Sequence, residues 1–250
     1  MEAQVATRPK GTGTDSVPIR TPSAEKSGDC AKGNNRDCPL VLVVDDDERV
    51  RCAVQELLLS VGLDAVTFAS AREVMGQQIP DRPGCLITDV RMPGSSGLDL
   101  QQHLVASGNK KPIIFLTGHA DIPMTVQAMK AGAVDFLTKP FRDQTLLDAV
   151  LAGIDIDRAQ RAKSQIVESN VKRLETLTPR EREVLREVAR GRVNKQIAYD
   201  LGISEVTVKL HRGNVMRKME AKSIGELIRA WQSLPPVARE TNRAAVALYT

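Results

Sequence analysis

The sequence predicts two structural classes in one chain: an α/β domain built on a five-stranded, parallel, doubly wound sheet, and behind it an all-α domain of four helices. Three observations carry this. Between Leu40 and Ile156, short apolar runs alternate five times with segments of helical period, the pattern of a parallel sheet covered by helices on both faces. After Leu174 the strand-like runs stop and only helical period remains. Charge changes at nearly the same place. Residues 39–155 carry ten basic against fifteen acidic groups and residues 156–250 nineteen against eleven, although the 250-residue chain as a whole stands at only +4. An acidic body followed by a basic C-terminal third points that third toward a polyanion, nucleic acid foremost.

Each element has a local reason. Leu40–Val44 is a continuous apolar run, as expected of a strand buried on both faces. Glu48–Val61 places Val50, Val54, Leu57, Leu58 and Val61 at helical spacing. Strands follow at Ala65–Phe68, Cys85–Thr88, Ile113–Leu116 and Asp135–Thr138. Helices alternate with them at Ala71–Gln78, Leu98–Val105, Met124–Ala131 and Thr145–Ile156. Residues 157–173 are polar and charged, a linker that can extend the last of these helices. Beyond it, Pro179–Ala189, Lys195–Leu201, Glu205–Met219 and Ile224–Trp231 read as helices, with Thr178, Asn194, Ser204 and Ser223 as N-caps. Pro235-Pro236 is expected to end the last helix.

The resulting organisation is a tail at 1–38, a first domain at 39–158, a linker at 159–173, a helical domain at 174–236 and a second tail at 237–250. The first tail is rich in Thr, Ser, Pro, Gly and charge and lacks apolar period, so it is expected to be disordered. With 42% apolar but only 3% aromatic residues, the cores must be aliphatic. No apolar run approaches the ~18 residues of a membrane helix, and MEAQVATRPKGTG has no apolar segment of a secretion signal. Cys30, Cys38, Cys52 and Cys85 lack metal-ligand or disulfide-framework spacing, and His103, His119 and His211 have no ligand partner nearby in sequence. The expectation is a reduced, cytoplasmic protein without a structural metal and without membrane contact.

In a doubly wound sheet, ligands sit beyond the carboxyl ends of the strands. Those ends carry Asp45 and Asp46, with Asp47 following, then Asp89, Thr117, and Lys139 followed by Pro140. Taken singly, a carboxylate ahead of a helix is an N-cap and a Lys-Pro pair is a loop, and Asp47 is read as such a cap. Together they fit phosphoryl transfer. Clustered carboxylates repel unless a hard dication such as Mg²⁺ neutralises them. One carboxylate facing the open site can attack phosphorus to give an acyl phosphate, and Lys139 and Thr117 can hold the phosphoryl oxygens.

PLVLVVDDDERVR (39–51), CLITDVRMPGSSGLDL (85–100), FLTGHAD (115–121) and AGAVDFLTKPF (131–141) resemble the CheY-like, flavodoxin-like receiver domain of two-component response regulators over roughly residues 38–158. The resemblance implies that Asp89 is the phosphoacceptor and that Asp45, Asp46, Asp89 and the Arg91 backbone carbonyl hold Mg²⁺. It further implies that Lys139 binds the phosphoryl group ahead of a cis bond to Pro140, and that Thr117 and Phe136 form the switch pair. Catalysis is then limited to the chain's own phosphorylation and slow autodephosphorylation. The strand-1 carboxylates also resemble the opening of haloacid-dehalogenase-type phosphatases, with Asp45 as nucleophile. That pattern expects Thr or Val where Arg49 stands and a late acidic pair where Pro140-Phe141-Arg142 stands.

In the basic third, Lys195–Leu201, a short turn with Gly202, and Glu205–Met219 make a helix-turn-helix. At 100° per residue, Val208, Val215 and Met219 share one sector and face the core. Val206, Lys209, Leu210, Gly213 and Arg217 lie opposite and would enter the major groove. Lys209 suits guanine and Leu210 a thymine methyl. Glycine inside a helix costs ~1 kcal/mol; at Gly213 either close approach to DNA or simple tolerance accounts for it.

TPREREVL, NKQIAYDLGIS and TVKLHRGNVMRKM resemble the LuxR-type helix-turn-helix of the NarL–FixJ group over about residues 175–235. The resemblance implies base-facing positions at Lys209, Leu210 and Gly213 and phosphate contacts at Arg212, Arg217, Lys195 and Thr207. With a receiver ahead of it, the chain is similar to FixJ-type response regulators. Such a regulator implies a sensor histidine kinase, promoter DNA and a second copy of the chain as partners, with RNA polymerase as a further candidate. A protein-interaction module carrying a helix-turn-helix but never phosphorylated is the alternative of another class.

Overall fold

The computed structural model describes residues 38–240 apart from Gln78, His119 and Ala120, so the expected tail before Cys38 and most of the tail after 236 lie outside the described residues. The chain falls into two compact units that divide between Arg158 and Ala159.

The first unit alternates strand and helix: β1 Leu40–Val44, α1 Glu48–Ser60, β2 Asp64–Phe68, α2 Ala71–Met75, β3 Leu86–Asp89, α3 Gly97–Ala106, β4 Ile113–Thr117, α4 Ile122–Lys130, β5 Asp135–Thr138 and α5 Asp143–Glu175. The five strands form one parallel sheet in the order β2-β1-β3-β4-β5. Alternation along β1 explains its uninterrupted apolar reading. Leu40, Leu42 and Val44 join Phe68, Leu86 and Phe115 in one core layer, while Val41 and Val43 join Leu58, Ile87, Ile114, Leu116 and Leu146 in the other. Fully burying each such side chain stabilises by ~1.5–3 kcal/mol, and both layers are mainly aliphatic, with Phe68 and Phe115 buried in the first.

Helix starts follow the chemistry of their caps. Asp47 accepts from the Arg49 N–H at 2.9 Å, as read from the sequence, and Ser96 and Asp99 close a reciprocal capping box on α3. Helix α2 stops at Met75, before the expected Gln78, because Gly76 ends it ahead of Pro80. The stretch expected as a linker, 159–173, is helical throughout as the second half of the 33-residue α5. It contains no Gly or Pro and is rich in Ala, Gln, Lys and Arg, so nothing in it interrupts a helix once α5 has nucleated it.

The second unit holds α6 Pro179–Ala189, α7 Asn194–Leu201, α8 Glu205–Lys218 and α9 Ile224–Ser233, joined by a short α10 at Pro236–Glu240. Its core gathers Val184, Leu185, Val188, Ile197, Val208, Val215, Met219 and Leu227, with Leu174 from the end of α5. Thr178, Ser204 and Ser223 cap as expected. Asn194 does not: Val193 occupies the cap of α7, and Asn194 is the first helical residue, its side chain turned to Arg212. Pro235-Pro236 ends α9 but also opens α10, because proline is well suited to a first helical turn. Cys52 and Cys85 are free thiols. Against the expectation of reduced cysteines, Cys38 is disulfide-bonded. Among the described residues, no helix is long and apolar enough to cross a membrane.

Candidate functional site

Parallel strands bring their carboxyl ends to one edge of the sheet, and this edge collects the polar residues singled out from the sequence. Asp45 follows the last residue of β1, Asp89 ends β3, Thr117 ends β4, and Lys139 follows the end of β5. Asp45, Asp46 and Asp89 each place a carboxylate oxygen within 4.8 Å of the others. The Lys139 Nζ donates to Asp45 Oδ2 at 2.5 Å and to Asp89 Oδ2 at 2.7 Å. These groups, with Asp47, Arg91, Thr117 and Gly118, line an open cavity of about 280 Å³. The other oxygens are also held: the Asp47 N–H donates to Asp45 Oδ1 at 2.9 Å and the Arg91 N–H to Asp89 Oδ1 at 3.0 Å.

The electrostatics are unbalanced. Three carboxylates face one ammonium, leaving two negative charges in excess when all are ionised. Burial pushes the Asp45 carboxyl above its ordinary value of 3.8, and the nearby Asp89 charge adds to this; the bonds from Lys139 and Asp47 only partly offset it. Burial opposes the charge on Lys139 as well, but its bonds to Asp45 and Asp89 outweigh that and raise its pKa. The donor set is all oxygen and the excess charge is that of a dication, which fits Mg²⁺.

Thr117 is buried, 1% exposed. Phe136 is half-buried, its ring centroid 6.0 Å from that of Phe115. The Lys139–Pro140 bond is cis, as expected. Cys85, on the opposite core layer, is no competing nucleophile, since burial pushes its thiol up to about 12.

In the second unit, α7, a turn with Gly202 at φ +65°, and α8 form the helix-turn-helix. The angular reading of α8 holds. Val208, Val215 and Met219 are at most 1% exposed, whereas Val206 and Leu210 are 75% and 64% exposed, and Lys209, Gly213 and Arg217 are exposed beside them. No heavy atom lies within 4 Å of a Cβ built on Gly213, so packing inside the unit does not require glycine there. Lys195 is exposed and Thr207 half-buried near the starts of their helices. Arg212 is half-buried, its Nη1 donating to Asn194 Oδ1 at 2.6 Å, so it ties α8 to α7.

Two family models match the chain in tandem: the response regulator receiver domain over residues 41–151, and the bacterial regulatory proteins of the luxR family over 175–231. Nodulation protein W of Bradyrhizobium diazoefficiens is 52% identical over 208 residues, 83% of this chain and 91% of that protein. The chain is a response regulator. The transcriptional regulatory protein FixJ of Azorhizobium caulinodans is 46% identical over 76% of the regulator and 90% of its own length. Among solved structures, the response regulator StyR superposes with a TM-score of 0.69 at 45% identity, covering 78% of the regulator and 98% of StyR. The regulator therefore joins a receiver domain to a LuxR-type DNA-binding domain.

Sequence reading of the regulator missed residues that act through backbone or through distant partners. A Cβ on Gly97 would sit 2.3 Å from the Asp89 carbonyl oxygen, so only glycine lets α3 begin this close to the end of β3. The glycine ahead of an apolar helix was the available signal. Glu181 does more than cap α6: its Oε2 accepts from Lys218 Nζ at 2.6 Å, fastening the C-terminal end of α8 to the start of α6. A spacing of 37 residues leaves no sequence signal for that pair.

Proposed function

We propose that the regulator is a phosphorylation-switched, cytoplasmic transcription factor whose phosphoacceptor is Asp89. The observation that carries this reading is the Lys139 ammonium bridging Asp45 and Asp89 beside an exposed third carboxylate, Asp46, in an open cavity. An Asp89 carboxylate oxygen attacks the phosphorus of a phosphohistidine on a sensor kinase. The P–N bond breaks, its electron pair stays on the imidazole nitrogen, and Asp89 carries an acyl phosphate. Asp45, Asp46, Asp89 and the Arg91 backbone carbonyl are the residues to hold Mg²⁺, which supplies positive charge beside the phosphoryl oxygens. Lys139 moves its bond from the carboxylates to the phosphoryl group, and the Thr117 hydroxyl turns toward it. Phe136 packs further inward beside Phe115, remodelling the surface of α4, β5 and the receiver part of α5, about residues 122–156. The phosphoryl group drives the change only because Thr117 and Lys139 bind it in one state and not the other.

The remodelled surface then pairs two copies of the chain, placing two α8 helices on half-sites of promoter DNA. Lys209 and Leu210 read base edges, Gly213 lets the helix approach, and Arg217, Lys195, Thr207 and Arg212 meet phosphates. RNA polymerase is the further partner of such an assembly. Chemistry is confined to the chain's own phosphorylation and its slow loss.

The test is labelling with acetyl phosphate and Mg²⁺, read by intact mass. One base-labile phosphoryl group is expected on the wild-type chain and none on Asp89→Asn. If Asp89→Asn labels normally while Asp45→Asn does not, Asp45 is the nucleophile and the phosphatase-type reading replaces this one. If the wild-type chain takes no label under any phosphodonor, the unphosphorylated interaction module replaces both.

A further inference from the structure

Of the three clustered carboxylates, Asp46 is the one that nothing holds directly. Asp45 is bonded by Lys139 and the Asp47 N–H, and Asp89 by Lys139 and the Arg91 N–H. Among the described residues, no hydrogen bond or ion pair reaches the Asp46 carboxylate, and its side chain is exposed. Its direction therefore depends on the backbone that carries it. That backbone lies just past the last ladder bond, which the Asp45 N–H gives to the Phe68 carbonyl oxygen at 3.2 Å.

Arg51, one turn into α1, reaches back to this segment. Its Nη1 donates to the Asp45 carbonyl oxygen at 2.6 Å and to the Asp46 carbonyl oxygen at 3.0 Å. A single guanidinium nitrogen thus spans two consecutive peptide planes. Holding both carbonyls restricts ψ at residues 45 and 46 and so sets where each Cα–Cβ bond points. The Arg51 N–H meanwhile donates to Asp47 O at 3.0 Å, so the same residue closes the first turn of α1 on the cap that follows the acidic pair. Its guanidinium is bonded to carbonyl oxygens and to no carboxylate of the cluster, and Arg51 is not among the residues that line the cavity.

We infer that Arg51 is a positioning residue for the divalent cation: it clamps the Asp45 and Asp46 carbonyls so that the Asp46 carboxylate faces the site, and it touches neither cation nor phosphoryl group itself. The inference rests on the proposed reading of this cluster as a cation-dependent phosphoacceptor site. Groups that orient metal-binding carboxylates commonly change metal affinity ~10–100-fold when removed. A cationic arm that only anchored α1 would instead change stability and leave affinity alone.

The experiment compares the full wild-type chain with Arg51→Met, which keeps an apolar stem but no donor, with Arg51→Gln, too short to span both carbonyls, and with Arg49→Met as a control. Calorimetric titration with MgCl₂ gives the affinity. Acetyl phosphate labelling of Asp89 across a range of MgCl₂ gives the half-saturating concentration and the rate at saturation. Arg51→Met and Arg51→Gln are expected to weaken Mg²⁺ binding about 10-fold and to raise the half-saturating concentration by the same factor, while the rate at saturating Mg²⁺ stays near the wild-type rate. Arg49→Met is expected to change neither. A wild-type Mg²⁺ affinity in whichever Arg51 variant folds, or a slower saturated rate with an unmoved half-saturation, overturns the inference. A wild-type chain that binds no Mg²⁺ and takes no label sinks the phosphoacceptor reading instead.

Discussion

Both units of the regulator bury a carboxylate against a lysine, and the two pairs behave in opposite ways. In the receiver, Lys139 is shared between Asp45 and Asp89, and burial together with the neighbouring charge leaves the Asp45 carboxyl above its ordinary value. In the DNA-binding unit, burial also pushes Glu181 up, but Lys218 and the Thr178 N–H serve this one carboxylate and outweigh it, so its pKa is lowered. The distances are almost the same, 2.5 and 2.6 Å. What differs is the count of donors against charges. A satisfied pair is scaffold; an over-charged cluster open to a cavity is short of positive charge, a deficit that a divalent cation would fill.

Five substitutions would break or sharpen that contrast, and the regulator's single tryptophan, Trp231, packed on the core of the second unit, reports on that unit alone. The largest effect is expected from Val208→Asp, which buries a charge in that core and should cost ~3–5 kcal/mol, unfolding the unit. Trp231 fluorescence should show the loss while Asp89 still accepts phosphoryl from acetyl phosphate; loss of labelling would show that the units do not fold independently. Next, Glu181→Gln should cost ~1.5–3 kcal/mol by removing a charged hydrogen-bond acceptor. Because its folded pKa lies below 4.5, the wild-type contribution is complete above that pH and disappears as pH falls through the lowered value. Trp231-monitored melts from pH 7 to 3 should therefore converge for wild type and variant at the acid end.

Lys209→Ala should then cost ~1–3 kcal/mol at a specific site and relax preference at one or two base pairs. Arg217→Ala should weaken specific and random DNA alike and lower the salt slope by about one. Selection on randomised duplexes checks both, and an unchanged consensus for Lys209→Ala with an altered one for Arg217→Ala would reverse the groove-facing side of α8. The smallest effect carries the opposite sign. A carboxyl whose folded pKa is raised disfavours folding once pH exceeds it. Asp45→Asn in EDTA at neutral pH should thus stabilise the receiver, with a small rise in the midpoint of urea unfolding. Destabilisation there would mean that the Lys139 bond outweighs the crowding, and the two units would no longer differ.

The fold was readable because its signals are local. β1 shows as LVLVV, the caps as Asp47, Thr178, Ser204 and Ser223, and the buried side of α8 as Val208, Val215 and Met219. The strand-end residues of the candidate site were readable for the same reason, since parallel topology brings every strand's carboxyl end to one edge. Asn194 was misread as a cap because its side chain has a better partner in Arg212, 18 residues away. The linker read as a segment that can extend the preceding helix does extend it, because an exposed run of strong helix formers continues a helix that has already started.

By itself, then, the sequence determined the order of elements, the two-layered aliphatic core of the receiver, the meeting of Asp45, Asp46, Asp89, Thr117 and Lys139, and the outward side of the recognition helix. All of these follow from period, capping and strand direction. Only the tertiary structure decided which oxygens Lys139 bridges, that Arg51 holds the backbone of the acidic pair, that α3 can start against Asp89 solely through Gly97, and that Glu181 fastens α6 to α8. These are contacts between residues distant in sequence or between side chain and backbone. They depend on distances of a few tenths of an ångström and on donors matched to charges, and no periodic pattern of residue types encodes either.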